Sequence, residues 1–242
     1  TIEKAYCTNE NDSRYYRATD WRREHLGKKS YYDVMIDAVG LPESYYGNRP
    51  ILYYSDSEHK KAKEWVEKAK KDRDADFIII VNLSGSTLHK KFIQVESVCK
   101  KIIDQIPTAF IYLTGDEFCK SQLFEHPRVK SMIDVWNFRT VALQCKYTDL
   151  TISPESGIVL IAHSWDVPTL QLLTAASWDN HVKYAKNAYW IKTEVPCSPC
   201  HRNPREYFGC PIKDKHPACI FFNEDKIIDK VKEIYGNSTV TT

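Results

Sequence analysis

The sequence has no long apolar run, no large excess of either charge and no internal repeat. No apolar stretch approaches the roughly 20 residues that a membrane-spanning helix needs, so no transmembrane segment is predicted. The 34 basic and 32 acidic residues are mixed along the chain, so no global basic field favours nucleic acid as a partner. With 43% hydrophobic and 27% charged residues, the composition is that of an ordinary soluble globular protein.

The N-terminal part also lacks two features. It has neither an initiator Met nor the pattern of a signal peptide, since it opens with the polar Thr1-Ile2-Glu3-Lys4, which predicts a fragment or a processed chain. Residues 1–72 supply two helices, at 31–39 and after Ser55, and at most one or two strands, of which 51–54 is the candidate. Because this is too little sheet for a Rossmann domain, we interpret 1–72 as the tail of a preceding domain and a linker.

Residues 73–242 show strand patterns that alternate with helix patterns. Phe77–Val81 is a continuous apolar run too short for a helix, which is typical of a buried parallel strand. The alternation predicts an α/β fold with a Rossmann-like doubly wound parallel sheet, followed by a helix at 224–235 and a frayed tail past Gly236. The further strands are predicted at 109–113, 129–133, 150–152 and 169–173. In such sheets the carboxyl ends of the strands hold the ligand, so the loops at 82–91, 114–118 and 153–157 are expected to meet in one crevice.

The first of these loops has the composition of a phosphate-binding turn. It runs Asn82-Leu83-Ser84-Gly85-Ser86-Thr87 and is followed by Lys90 and Lys91. Small hydroxyl residues and Gly let backbone N–H groups approach a phosphate, and a following helix N-terminus and a Lys add positive charge. The loop matches neither a P-loop nor the dinucleotide fingerprint. An ordinary strand-to-helix turn with solvated lysines is the alternative interpretation.

A second candidate is Ser153-Pro154-Glu155-Ser156-Gly157, between a strand and the next helix. Glu155 is predicted at or near the helix N-terminus, with Ser156 and Gly157 presenting N–H groups. This arrangement suits a ligand that carries hydroxyls and phosphate oxygens together. A simple capping turn is the competing interpretation.

Four of the eight cysteines are clustered in a Pro-rich, loop-like stretch at 195–222. They are Cys197, Cys200, Cys210 and Cys219. A Cys-x-x-Cys turn followed by two further cysteines can supply four thiolates in a tetrahedron, which predicts a structural zinc or iron ion, with disulfides as the alternative. Cys99 and Cys145 lie in segments with helix patterns and are predicted to be buried free thiols.

The order of these motifs resembles glycosyltransferase family 9, which contains ADP-heptose:lipopolysaccharide heptosyltransferases and related autotransporter heptosyltransferases. The likeness covers roughly residues 30–235 and includes the Ser/Gly loop with its lysine, Thr-Gly-Asp-Glu at 114–117 and Ser-Pro-Glu-Ser-Gly at 153–157. It continues with Val167-Pro168-Thr169 before a strand and with the cysteine cluster. The ordered combination is more specific than any one of these motifs.

The resemblance implies a GT-B fold, in which two Rossmann-like domains face each other and the C-terminal one holds most of the nucleotide-sugar donor. Such enzymes invert the anomeric centre by direct displacement without a catalytic metal. By position, the expected contacts are Ser84, Gly85, Ser86, Thr87 and Lys90 to the donor phosphates or sugar, Glu117 to the nucleoside, and Glu155, Ser156 and Gly157 to the pyrophosphate and sugar. Lys90 is also expected to stabilise the leaving group, with Lys91 as the competing choice, and the cysteine cluster is expected to be structural.

The sequence departs from the family pattern in two places. Many members carry an Asp and a His where this chain has Glu155 and Leu160, so donors other than ADP-heptose stay open. The N-terminal strand and Gly-rich loop that carry the general base have no counterpart before residue 30. The base is therefore expected outside this chain, which alone would bind a donor without transferring its sugar.

The leading interpretation is the donor-binding half of an inverting, heptosyltransferase-like glycosyltransferase. Its partners would be a nucleotide-diphosphate sugar, such as ADP-heptose, and a glycan, lipopolysaccharide or protein acceptor. The alternatives are a non-catalytic nucleotide-sugar-binding module and a zinc-ribbon-like interaction domain. Free thiols predict a cytoplasmic setting, and the sequence leaves open whether the chain forms a homo-oligomer.

Overall fold

One parallel β-sheet organises the part of the chain that the computed structural model describes, which is residues 29–38, 40–85, 90–200 and 217–239. The strands are β1 (Phe77–Asn82), β2 (Ala109–Thr114), β3 (Val129–Ser131), β4 (Leu150–Pro154), β5 (Thr169–Leu173) and β6 (Ala188–Lys192). Their order is β3-β2-β1-β4-β5-β6, and every pairing is parallel. The strand order reverses between β1 and β4, which confirms the predicted doubly wound sheet and places its switch point there.

Helices cover both faces of the sheet. They are α1 (Tyr31–Ala38), α2 (Asp56–Arg73), α3 (Val95–Gln105), α4 (Phe138–Gln144), α5 (Gly157–Ser164), α6 (Trp178–His181) and α7 (Glu224–Thr239). Single 3-10 turns lie at Glu43–Tyr45, Glu117–Gln122, Cys145–Tyr147 and Ala218–Ile220. None of the helices in the described ranges is long and apolar enough to cross a membrane.

Strand β1 shows why the sheet needs helices on both sides. All six of its residues are buried, and alternate side chains enter two separate apolar layers. Phe77, Ile79 and Val81 pack with α3 and α7, whereas Ile78 and Ile80 pack with α2, α4 and α5. Each buried Ile or Val stabilises the fold by about 1.5–3 kcal/mol, so this continuous apolar run is stable only when both faces are covered.

Helix α2 begins with the capping box that its sequence predicts. The Ser55 side chain accepts the Glu58 N–H, and the Glu58 carboxylate accepts the Ser55 N–H at 2.8 Å. The helix ends at Asp74, which takes a left-handed φ of 48°. Its buried residues, Ala62, Val66 and Ala69, lie on one side, and Val66 and Ala69 pack into the same layer as Ile78. The boundary between 1–72 and 73–242 stays a prediction.

Segment 29–50 is held against α5 and the region after α6 by polar contacts. Tyr32 donates its hydroxyl to the Leu160 carbonyl at 3.1 Å, and Arg49 forms an ion pair with Asp166. The Asp33 carboxylate accepts the Tyr184 hydroxyl at 2.7 Å. These contacts attach the segment to the helix that begins at the predicted ligand crevice.

Three local predictions are wrong. Residues 51–54 form no strand, and Ile51 and Tyr53 are 75% and 80% exposed. The Tyr53 carbonyl accepts a hydrogen bond from Arg139 Nη2 at 2.8 Å instead of pairing in the sheet. Helix α7 continues through Gly236 to Thr239, where a frayed tail was predicted. The helix after the first loop was predicted to include Phe92 on its inner face, but α3 starts only at Val95. Strand β6 and helix α6 were not predicted.

Candidate functional site

Asn82 joins the loops that meet at the switch point. It is the last residue of β1, and its Nδ2 donates to the Ser84 carbonyl at 2.6 Å and to Ser153 Oγ at 3.0 Å. Ser156 Oγ lies 3.4 Å from the same nitrogen, and Thr114 at the end of β2 approaches Asn82 Oδ1 at 3.4 Å. The predicted convergence of these loops is therefore present, and Asn82, which holds them together, was not predicted as a site residue.

The loop after β1 closes on itself. Ser84 pairs with Lys91 in an antiparallel bridge, and the Gly85 N–H donates to the Lys90 carbonyl at 2.7 Å. Both lysines are half-buried and precede α3, so neither lies on that helix. Ser86 and Thr87, which were predicted to contact the donor, lie outside the described residues.

Gly85 is required by close backbone contact. A Cβ at this position would lie 2.5 Å from the Glu155 carbonyl oxygen and 2.8 Å from Lys90 Cβ. No side chain fits at the shorter distance, so the loops after β1 and β4 touch through their main chains. This contact places Lys90 beside the loop that precedes α5.

The N-terminus of α5 is open to solvent beside this contact. Ser156 caps the helix by accepting the Val159 N–H, and it shares a 2.7 Å hydrogen bond with Ser153 Oγ. Gly157 is exposed, and a Cβ there would lie 3.4 Å from the ring of Phe138, which is itself exposed. The first N–H groups of a helix, together with its dipole, form a favourable site for an anion.

The carboxylate of Glu155 points away from the crevice and into the protein. The residue is 1% exposed, and its Oε1 accepts the N–H groups of Thr174, Ala175 and Ala176 at 2.7–2.8 Å. The contact that was predicted between Glu155 and a donor stays a prediction. These three hydrogen bonds were not predicted.

The loop after β2 contributes acidic groups on the other side of the β1 loop. Glu117 is exposed at the start of a 3-10 turn, in keeping with a group that could reach a ligand. Asp116 caps this turn through the Phe118 N–H at 3.0 Å and accepts the Ser84 hydroxyl at 3.1 Å. Asp116 was not predicted as a site residue, although an Asp directly before a short helical turn is a recognisable cap.

The structure separates the cysteines into two groups. Cys99 and Cys145 are buried free thiols, as predicted, and burial raises the pKa of Cys145 to about 12, so that it stays protonated. Cys197 is exposed and Cys200 half-buried, whereas Cys210 lies outside the described residues. Among the residues that are described, no group of three or more His, Cys, Asp or Glu side chains could hold a metal, so the four-cysteine site stays a prediction.

These contacts define an open parallel α/β domain whose loops converge at its switch point, as in GT-B folds. No protein-family model and no curated protein matches the sequence. Among solved structures, the fold is similar to that of a family 9 glycosyl transferase from Veillonella parvula, with a TM-score of 0.62 and 13% identity over 86% of this chain and 60% of that one. It is also similar to ADP-heptose LPS heptosyltransferase II of E. coli, with a TM-score of 0.57 and 12% identity over 84% of this chain and 57% of that one.

A third similar structure is the dodecameric iron-containing heptosyltransferase TibC in complex with ADP-D-β-D-heptose. Its TM-score is 0.51, with 8% identity over 67% of this chain and 46% of that one. The predicted resemblance to family 9 is confirmed at the level of the fold. The chain spans 60% or less of the length of these three proteins, and at such identities the likeness extends to the fold alone.

Proposed function

We propose that the chain is the donor-binding half of an inverting glycosyltransferase that takes its sugar from a nucleotide-diphosphate donor. One observation carries the proposal. The exposed N-terminus of α5, the Ser84-Gly85 turn and Lys90 meet at the switch point of a sheet whose fold is shared with family 9 glycosyltransferases. That edge of a doubly wound sheet is where such folds bind ligands.

The chemistry that these groups support is stabilisation of the leaving group. In a direct displacement, the acceptor oxygen forms a bond to the anomeric carbon as the bond to the diphosphate oxygen breaks, and the electron pair leaves with the nucleoside diphosphate. The N–H groups at Ser156 and Gly157 and the ammonium of Lys90 would neutralise the developing negative charge. The acceptor proton passes to a carboxylate base, a role to which we assign none of the described residues.

The donor set that we propose contains Ser84, Gly85, Lys90, Ser156 and Gly157 near the diphosphate. Ser86 and Thr87 complete it from the same loop, and the exposed Glu117 faces the nucleoside. The side chain of Glu155 is left out because its carboxylate is buried. The acceptor is proposed to be a glycan, lipopolysaccharide or protein, and the setting cytoplasmic.

Substitution of Lys90 by Ala tests the proposal. We expect the variant to keep its fold and to bind a nucleoside diphosphate roughly tenfold more weakly, since it loses one charge-assisted contact. The measurement is calorimetric titration of the wild-type chain and the variant with ADP, UDP and GDP and with a sugar conjugate of each.

Lys100→Ala is the matched control, because Lys100 is an exposed lysine that pairs only with Glu96 one turn away on α3 among the ion pairs of the described residues. Its affinity for the probes should equal that of the wild type. If Lys90→Ala binds as tightly as the wild type does, Lys90 is not a donor ligand. If the folded wild type binds none of the probes, the chain does not hold a donor by itself.

A further inference from the structure

The three N–H groups that meet at Glu155 belong to consecutive residues of the loop after β5. Thr174, Ala175 and Ala176 all donate to the same oxygen, Oε1, at 2.7, 2.8 and 2.7 Å. Successive N–H groups that point to one place form a concave anion site. Here the anion is the protein's own carboxylate, and it fixes the loop after β5 to the loop after β4.

Glu155 also connects this anion site with the donor crevice. Its carbonyl oxygen is the atom that a Cβ at Gly85 would meet at 2.5 Å, and the next residue, Ser156, is the cap of α5. The main chain of Glu155 thus contacts the loop after β1, while its side chain holds residues 174–176. A single residue therefore connects the loops that follow three strands, β1, β4 and β5.

Thr174 is held from a second side by the cysteine-containing turn 197–200. The Ser198 hydroxyl donates to the Thr174 carbonyl at 2.6 Å, and both residues are buried. Thr174 therefore gives its N–H to Glu155 and accepts from Ser198 through its carbonyl. A continuous path of two side chains runs from the cysteine turn to the N-terminus of α5.

We propose that Glu155 is a positioning residue that holds the donor crevice in shape, and that Ser198 extends this support to the turn between Cys197 and Cys200. The proposal rests on the function proposed above. It replaces the expectation that the Glu155 carboxylate contacts the donor. The physical reason is that a buried carboxylate with three donors is fixed in place, and it leaves three N–H groups without an acceptor when it is removed.

The experiment combines two measurements on Glu155→Ala, Glu155→Gln and Ser198→Ala. Hydrogen exchange at the amides of residues 174–176 reports whether the loop is held. Calorimetric titration with ADP, UDP and GDP and with a sugar conjugate of each reports the state of the crevice. Glu96→Gln is the matched control, because Glu96 is exposed and its carboxylate pairs only with Lys100 among the ion pairs of the described residues.

We expect Glu155→Ala to accelerate exchange at all three amides. It should weaken the binding of the nucleoside diphosphate and of its sugar conjugate by the same factor, roughly tenfold to a hundredfold. The factor is the same because a misplaced helix N-terminus affects the diphosphate, which both ligands share. Glu155→Gln keeps an acceptor oxygen and should lose less. Ser198→Ala should weaken the binding of both ligands by the same, smaller factor. Glu96→Gln should match the wild type in affinity and in hydrogen exchange.

Provided that the wild-type chain binds at least one of the probes, either of two results would overturn the proposal. If Glu155→Ala or Glu155→Gln weakens only the sugar conjugate, the carboxylate contacts the sugar directly. If both variants exchange faster at residues 174–176 but bind both ligands normally, the loop has no influence on the crevice. A folded wild type that binds none of the probes is a different failure, since it removes the proposed function itself and this role with it.

Discussion

His163 is a buried titratable residue in the last turn of α5, at the opposite end of the helix from the proposed donor site. It is 2% exposed, and neither ring nitrogen has a hydrogen-bond partner among the described residues. Its carbonyl accepts Arg49 Nη1 at 2.6 Å, and Arg49 also pairs with Asp166. Burial, with a smaller contribution from the Arg49 charge, lowers the pKa of His163 to about 4.

This lowered pKa predicts a loss of stability in acid. The fold prefers the neutral ring, so the contribution of His163 is complete above the unfolded pKa of about 6.5 and is lost as the pH falls toward the folded pKa. Between pH 7 and pH 5 it should remove about 2 kcal/mol from the free energy of unfolding. Urea unfolding of the wild type and of His163→Leu measures the difference, because Leu cannot take up a proton.

The control is His59→Gln, which removes a different histidine, one whose Nδ1 contacts the Tyr147 hydroxyl. This variant keeps His163, so it should keep the acid response that His163→Leu loses. If His163→Leu loses as much stability between pH 7 and pH 5 as the wild type does, the acid response comes from other groups.

At the scale of the elements, two glycines in different surroundings give opposite predictions for the same substitution. Gly85→Ala places a Cβ 2.5 Å from the Glu155 carbonyl, so the loops after β1 and β4 must separate, at a cost of about 1–3 kcal/mol.

Gly236→Ala adds a methyl group to α7 with nothing within 4 Å, so it should stabilise the chain by up to about 1 kcal/mol. Urea unfolding measures both changes, and a destabilised Gly236→Ala would contradict the helical assignment of Gly236.

Elements with strong local patterns could be predicted from the sequence, and elements fixed by distant partners could not. β1 is apolar from Phe77 to Val81 and is confirmed near its predicted limits. α3 repeats Val95, Val98 and Ile102 on one face, so the helix is confirmed, although it starts later than predicted. Residues 51–54 have similar apolar character but find no neighbouring strand. β6 was missed because its alternation is incomplete, with Trp190 exposed and only Ile191 buried.

The site divides in the same way. The meeting of three loops follows from strand order, which the alternation of strands and helices predicts. The direction of the Glu155 side chain depends on N–H groups in the loop after β5. The residues next to Glu155 in the sequence do not indicate this interaction. Asn82 was missed because a polar residue at the end of a strand shows its partners only in three dimensions.

For the whole molecule, the cysteine cluster predicts that the purified chain contains metal. We expect about one zinc or iron ion per chain, bound by Cys197, Cys200, Cys210 and Cys219, with a structural role. Elemental analysis should show that Cys200→Ser loses most of the metal, and thermal unfolding should show that the variant melts at a lower temperature. Cys145→Ala is the control, because Cys145 is buried against α2 and α4 and should leave the metal content unchanged. A metal-free wild type that melts normally would favour disulfides or free thiols.

The position of the crevice between β1 and β4 has a consequence for folding. Ile79 of β1 pairs with Ile111 of β2, but also with Leu150 of β4, which is 71 positions away along the chain. The entropy cost of closing a loop grows with its length, so local pairings form more readily than distant ones. A partly folded chain in which only β1, β2 and β3 have paired has no crevice, and the donor site therefore arises only with the long-range closure that completes the sheet.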